Sequence, residues 1–228
     1  MVNRILASLP KNIVTALQPR LHDVDLPFGT IVADIGQPVS QVYFPYSGVI
    51  SIVVEMEVGE MIETAMIGRD GAANALAALN GQTSFHKAIV QIAGTASVIQ
   101  ADALRAIADN FPQLRSALLG HEQALLAQTQ QSAACNASHS VEARMCRWLL
   151  RMYDLTQSSN FSLTQEFLAQ MLGVRRTSVS LVAGALQKAG LIKYRRGNIH
   201  LENVEEIRNS ACECYDRIRL HYERHFKT

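Results

Sequence analysis

No stretch of this 228-residue sequence is apolar for long enough to cross a bilayer; its hydrophobic runs are short and interrupted, which excludes a transmembrane helix. The N-terminal residues carry Arg4 and Lys11 within an amphipathic pattern and lack the long apolar segment of a signal peptide. Cysteine is absent before Cys135, and the four that follow (Cys135, Cys146, Cys212, Cys214) include no Cys-x-x-Cys pair. A disulfide framework is therefore not expected, and a reducing, cytoplasmic setting fits. Histidine is scarce where a β-rich enzyme would need it. The first 110 residues hold only His22 and His86, too few to ligate a metal in a cupin-like site. Neither a catalytic nor a metal-binding set is expected. What is present is a 48% hydrophobic composition, enough for a substantial core, and an uneven charge. The net formal charge of +1 divides into −4 over residues 1–137 and +5 over residues 138–228. Such a division suits a basic nucleic-acid-binding module joined to a neutral or acidic partner domain.

The most informative stretch is 162–203. Leu163, Phe167, Leu168, Met171 and Leu172 recur at helical spacing after Thr164, a capping residue, with Glu166 in the first turn. Gly173 breaks the run and allows a sharp turn. A second helix is expected over about 175–189, with Val179, Val182, Ala183 and Leu186 inward and Gly190 just past its end. Leu191–Tyr194 and Ile199–Leu201 read as two short strands around an Arg196-Gly197-Asn198 turn. Two helices about a glycine turn form a helix-turn-helix, and the hairpin makes it winged. In that motif the N-terminal residues of the second helix face base edges. Here they are Arg175, Arg176, Thr177, Ser178 and Ser180, none of them acidic. Arginine can form a bidentate fork with guanine, and serine or threonine can bond bases or phosphates. Lys193, Arg195 and Arg196 of the hairpin suit phosphates. Residues 161–201 hold six Lys or Arg against one acid, Glu166.

The rest of the chain frames this module. Residues 3–18 read as an amphipathic helix interrupted by Pro10. From Leu21 to about Ile99, short apolar stretches alternate with Gly, Pro and Asp turns, which predicts an all-β roll with strands near 30–34, 41–44, 49–56, 60–67, 87–93 and 95–99. An alanine-rich segment at 72–79 is a helical insertion. Asp102–Asn110 is a short helix, and Pro112 opens a long one. On the latter, Leu114, Leu118, His121, Leu125, Gln128, Ser132 and Cys135 keep heptad spacing, the pattern of a dimer seam; a stripe packed inside one subunit is the alternative. A hinge is expected at 136–140. A helix over 141–156 follows, and then, after Asn203, a last helix with Ile207, Ala211, Cys214, Ile218 and Tyr222 along its buried side. On a single helix Cys212 and Cys214 would point apart, which argues against a metal or redox pair. The expected architecture is α+β: a jelly-roll-like β-roll over 1–111, a dimerisation helix and hinge over 112–137, and a winged helix-turn-helix over 138–228.

This order of parts resembles the Crp/Fnr family of bacterial transcription regulators. The resemblance is strongest in MLGVRRTSVS and LQKAGLIKYRRGNIHLEN, and weaker over 1–110, where it rests on pattern and on Ala88–Leu104. It implies a homodimeric, sequence-specific regulator, not an enzyme, that binds a near-palindromic site on double-stranded DNA, with RNA polymerase as a further partner and no membrane. Two departures from the family's base-reading motif stand out. Thr177 takes the place of a glutamate that reads cytosine, and Leu181 that of an arginine that reads guanine. The half-site should accordingly differ from TGTGA or TTGAT. The sensor departs as well. The family's cyclic-nucleotide cassette places an arginine on the cyclic phosphate, where this chain has His86 or Lys87, and Gly59-Glu60 lies too early. That argues against cyclic AMP, with a cyclic-nucleotide regulator of divergent pocket as the alternative. The N-terminal cysteines that hold an iron–sulfur cluster in the Fnr branch are missing, so no such cluster is expected and no other cofactor is indicated.

Overall fold

The computed structural model describes residues 3–57 and 59–226. Two short helices open the chain, α1 (Arg4–Ser8) and α2 (Lys11–Leu17), parted at Pro10 and followed by a 3-10 turn at Gln18–Arg20. Strands β1 (His22–Leu26), β2 (Ile31–Ala33), β3 (Gln41–Pro45), β4 (Val49–Glu55) and β5 (Met61–Ile67) precede helix α3 (Ala75–Asn80); β6 (Lys87–Ile92) and β7 (Gly94–Gln100) follow it. They form two antiparallel sheets, β1-β7-β3 and β2-β6-β4-β5. Between them Leu26, Ile50, Ala65, Ile67, Val90, Ala96 and Val98 make the core of the roll. Alternation sets the faces of β3 and β6, because a strand's side chains repeat every two residues. Strand β4 is buried throughout Val49–Val53, since Ile50 and Ile52 enter the roll while Val49 and Val53 pack against the helix over Val141–Thr156.

Helix α4 (Ala101–Asn110) leads into α5 (Pro112–Ser138). Its 27 residues span roughly 40 Å at 1.5 Å per residue. Pro112 occupies its first turn, where the missing N–H costs nothing. The seam Leu114, Leu118, His121, Leu125, Gln128, Ser132 and Cys135 is buried within its own chain at every position. The expected dimer seam is covered by helices and strands of its own chain. Leu114 and Leu118 pack with α1, α2 and α4, and Leu125 enters the core of the roll. His121 Nε2 accepts the Ala72 N–H at 3.1 Å. Cys135 meets Cys212 and Cys214. One stripe of α5 is thus consumed by the fold of a single protomer, because the roll and the C-terminal helix must bury their apolar faces somewhere.

The exposed side of α5 carries a second stripe, Ser116, Leu119, Gln123, Leu126, Gln130, Ala133 and Ala137, also at alternating spacings of three and four. Leu119 and Leu126 are 42% and 58% exposed.

Ser140 caps helix α6 (Val141–Thr156) by accepting the Ala143 N–H. The hinge between α5 and α6 is therefore only His139 and Ser140. Strand β8 (Asn160–Ser162), helix α7 (Gln165–Leu172), helix α8 (Arg176–Lys188) and strands β9 (Ile192–Arg195) and β10 (Asn198–Leu201) complete the winged unit; β10 pairs with both β8 and β9. Asn203 caps α9 (Val204–Ser210) through the Glu206 N–H. The chain then breaks at Ala211–Glu213 before α10 (Cys214–His225). The expected single helix is two, and the break changes the relation of Cys212 to Cys214.

The winged unit rests on the roll. Trp148, Leu149 and Met145 of α6 share a core with Val49, Val53 and Met66 of the roll. Trp148 Nε1 donates to Glu63 Oε1 at 2.8 Å, and Arg151 Nη1 meets Asp70 Oδ2 at 2.7 Å in a buried ion pair. Gly173, at φ +60°, brings the helix-turn-helix corner against Ile62 of β5.

Candidate nucleic-acid interface

Thr164 caps α7 by accepting the Phe167 N–H at 3.1 Å. Gly173 ends the helix in the left-handed region, as its position in the sequence requires. Val179, Ala183 and Leu186 hold α8 to the core. The outward residues of α8 follow from that attachment by helical geometry. Arg176, Thr177, Ser180, Leu181 and Gly184 share one exposed face, headed by Arg175 at the N-cap. Leu181 is 76% exposed, a large apolar side chain on an otherwise polar face. Ser178 is half-buried at the edge of this face and joins it less fully than expected.

Gln165, which the sequence did not single out, and Glu166, read there only as a first-turn acid, position this face. Gln165 Oε1 accepts the Ser180 hydroxyl at 2.6 Å, while Ser180 Oγ also lies 3.1 Å from the Arg176 carbonyl. Glu166 Oε2 stands 3.9 Å from Arg176 Nε, with both side chains exposed. Neither role can be read from periodicity, because the partners are ten and fifteen residues apart and meet only when the glycine corner closes.

The wing joins α8 through Gln187 Oε1, which accepts the Tyr194 N–H at 2.8 Å. Tyr194 donates its hydroxyl to the Leu163 carbonyl at 2.8 Å, and partial burial pushes its phenol up to about 12. Arg196 takes φ +50° in the hairpin turn beside Gly197. Arg196 and Arg176 line one open hollow with Thr164, Gln165, Glu166 and Tyr194. Lys193 and Arg195 alternate with Tyr194 and so occupy the other face of β9. Lys193 Nζ is 2.7 Å from Glu202 Oε1, and this contact holds the Glu202 carboxyl below its usual range. Of the three hairpin cations, only Arg196 is gathered with the α8 face; Lys193 and Arg195 are exposed but point elsewhere.

A second cavity, of about 610 Å³, lies between the roll, the 82–86 segment and α5. Ile52, Ile67, Leu76, Phe85 and Leu125 supply apolar walls, and Leu119, Gln123 and Leu126 bring it to the exposed stripe of α5. Its ionisable groups are His86 and Glu122; no Lys or Arg is among its lining residues. Burial pulls the His86 imidazole down, towards the neutral form. Burial also pushes the Glu122 carboxyl up to about 7, against the Leu76 N–H that it accepts. Lys87, the other residue at the expected arginine position, is drawn off into an ion pair with Glu55.

A third cluster lies beside the hinge. Cys135, His139, Cys212 and Cys214 bring their ligand atoms within 4.8 Å of one another. The expectation that Cys212 and Cys214 face apart assumed one helix, and the break at 211–213 removes it. The absence of an N-terminal cysteine set therefore does not dispose of metal or cluster chemistry in this chain.

Residues 143–210 match the family model of the Crp-like helix-turn-helix domain. No curated protein matches the chain in sequence. Among solved structures, the chain is similar to the c-di-GMP responsive global regulator CLP from Xanthomonas campestris, at 18% identity and a TM-score of 0.68, over 85% of this chain and 100% of that one. It is similar also to FixK2 from Bradyrhizobium japonicum, at 15% identity and a TM-score of 0.68, over 84% and 98%. A CRP/FNR-family transcriptional regulator from Thermus thermophilus matches at 20% identity and a TM-score of 0.68, over 83% and 98%.

Proposed function

Starting from a chain that carries a Crp-like helix-turn-helix domain on the fold of Crp/Fnr transcription regulators, we propose a homodimeric regulator that reads a near-palindromic operator through the exposed face of α8. The observation that carries this reading is that face: Arg175, Arg176, Thr177, Ser180 and Leu181 are presented together, with Arg196 of the wing beside them. Arginine supplies a bidentate donor pair for guanine, and the Leu181 side chain and Thr177 methyl suit the thymine methyl group. Arg196 and Arg175 suit phosphates.

Two copies would meet along Leu119, Gln123, Leu126, Gln130 and Ala133 of α5. That stripe keeps the spacing of a coiled-coil seam. A two-fold axis there would set the recognition helices about 34 Å apart, one turn of DNA. Contact with RNA polymerase and a cytoplasmic location belong to the same reading. No described helix is long and apolar enough to cross a membrane.

The cavity at the roll is the natural place for an effector, since its wall includes the dimer stripe. With no cation in the lining and a buried carboxyl present, it favours an uncharged, largely apolar molecule over a cyclic phosphate. The experiment is fluorescence anisotropy with the chain's own upstream DNA against a scrambled duplex at fixed salt. Arg176→Ala should remove roughly 1–3 kcal/mol of discrimination. Unchanged discrimination would sink the assignment of α8. A protein that binds both duplexes alike until a ligand is added would place control in the cavity.

A further inference from the structure

We propose that Cys135, His139, Cys212 and Cys214 form a mononuclear tetrahedral site for zinc that ties the end of α5 to the start of α10. The four residues come from two places. Cys135 lies in the last turn of α5 and His139 caps it; Cys214 opens α10, and Cys212 lies in the break before it. Sγ of Cys135 and Sγ of Cys212 are 3.5 Å apart, and Sγ of Cys214 is 3.6 Å from Nδ1 of His139. In a tetrahedron with Zn–S near 2.3 Å and Zn–N near 2.0 Å, the S–S edge is about 3.8 Å and the S–N edge about 3.5 Å. These two edges stand close to those separations, and all four ligand atoms lie within 4.8 Å of one another. In a polynuclear iron–sulfur cluster the ligands are divided among two or more irons, and those on different irons stand further apart than a set gathered within 4.8 Å, so a single ion fits better.

The surroundings are those of a ligand set. His139 Nε2 is 3.3 Å from Glu213 Oε2, which leaves Nδ1 to face the thiols and fixes the tautomer that a metal needs. Gln131 Nε2 donates to Cys214 Sγ at 3.0 Å. Three thiolates, one neutral imidazole and a divalent cation sum to a single negative charge. Arg147, a buried cation acting on Cys135, offsets it, and its Nε has no hydrogen-bond partner. On binding, the thiols release their protons to solvent while His139 keeps its Nε2 proton on Glu213. No electron is transferred. The site stands whether or not α8 reads DNA.

The test is metal content of the full chain purified in reductant without chelator, followed by exchange of the ion for Co²⁺. One zinc per chain is expected, with visible ligand-field bands of a tetrahedral thiolate site after exchange, and a rise in Tm on zinc addition to metal-stripped protein. Cys146→Ser, which alters the one remaining thiol outside the cluster, should leave stoichiometry and bands unchanged. Cys135→Ser and Cys212→Ser should lose the bands. Because either could misfold, His139→Asn and Glu213→Gln serve as milder variants. The former should shift the bands and the latter weaken zinc about tenfold. Folded wild-type protein that stays metal-free with micromolar zinc overturns the proposal. So do bands that survive both cysteine substitutions, or an iron–sulfur chromophore in their place.

Discussion

At the scale of single residues, Glu63 shows how a buried group can report on the joint between roll and winged unit. Its carboxyl is fully enclosed, and burial pushes it up to about 7 against the hydrogen bonds from Ser51 and Trp148. A carboxyl raised in the folded state stabilises most below its unfolded value of about 4.5 and loses that contribution as pH rises through 7. Stability should therefore decline between pH 4.5 and 7.5 in part through this group. Trp148 is the only tryptophan, and its indole donates to Glu63, so its emission should titrate with a midpoint near 7. Glu63→Gln should flatten both curves; an unchanged emission titration would assign it elsewhere. Nothing in the sequence marks Glu63, since it lies 85 residues from Trp148. Arg176 and Thr177, by contrast, are legible at once, because a glycine corner and a helical repeat determine which residues lead the second helix.

At the scale of elements, α5 and the wing each carry two candidate faces, and the structure distinguishes them. Leu126→Asp, on the exposed stripe of α5, should give a monomer in sedimentation and lose operator binding. Leu118→Ala, on the buried stripe, should leave the dimer intact but destabilise the fold by about 2–5 kcal/mol in urea titration. The reverse pattern would restore the original seam. In the wing, Arg196→Ala should weaken binding to every sequence and lower the salt slope by about one, while Lys193→Ala, already paired with Glu202, should change it little. A heptad pattern read from sequence says that a helix has a seam, but two registers coexist on α5. Periodicity carries no information on whether the roll or a second copy covers a given stripe.

At the scale of the whole molecule, the winged unit is held to the roll by a shared core and by the Arg151–Asp70 pair. Both partners are nearly inaccessible, and Arg151 also lies over the Tyr222 ring at 4.4 Å. Removing one charge strands the other in a poorly solvated place. Arg151→Ala should cost roughly 3–5 kcal/mol in chemical denaturation. A loss below about 1 kcal/mol would mean that water reaches Asp70. Three attachments converge on this joint: Trp148 on Glu63, Arg151 on Asp70, and the helix-turn-helix corner on Ile62.

The sequence by itself determined the order of parts, six of the seven strands of the roll, the cap at Thr164 and the cationic start of α8. All of these depend on local rules: alternation along a strand, a side-chain oxygen at a helix start, glycine where φ is positive. Only the tertiary structure decided which stripe of α5 is buried, which hairpin arginine stands beside α8, and that Cys135, His139, Cys212 and Cys214 meet. Those outcomes depend on how elements far apart in the chain compete for the same apolar surface. A break of three residues between α9 and α10, invisible to a helical repeat, was enough to turn two cysteines towards one point.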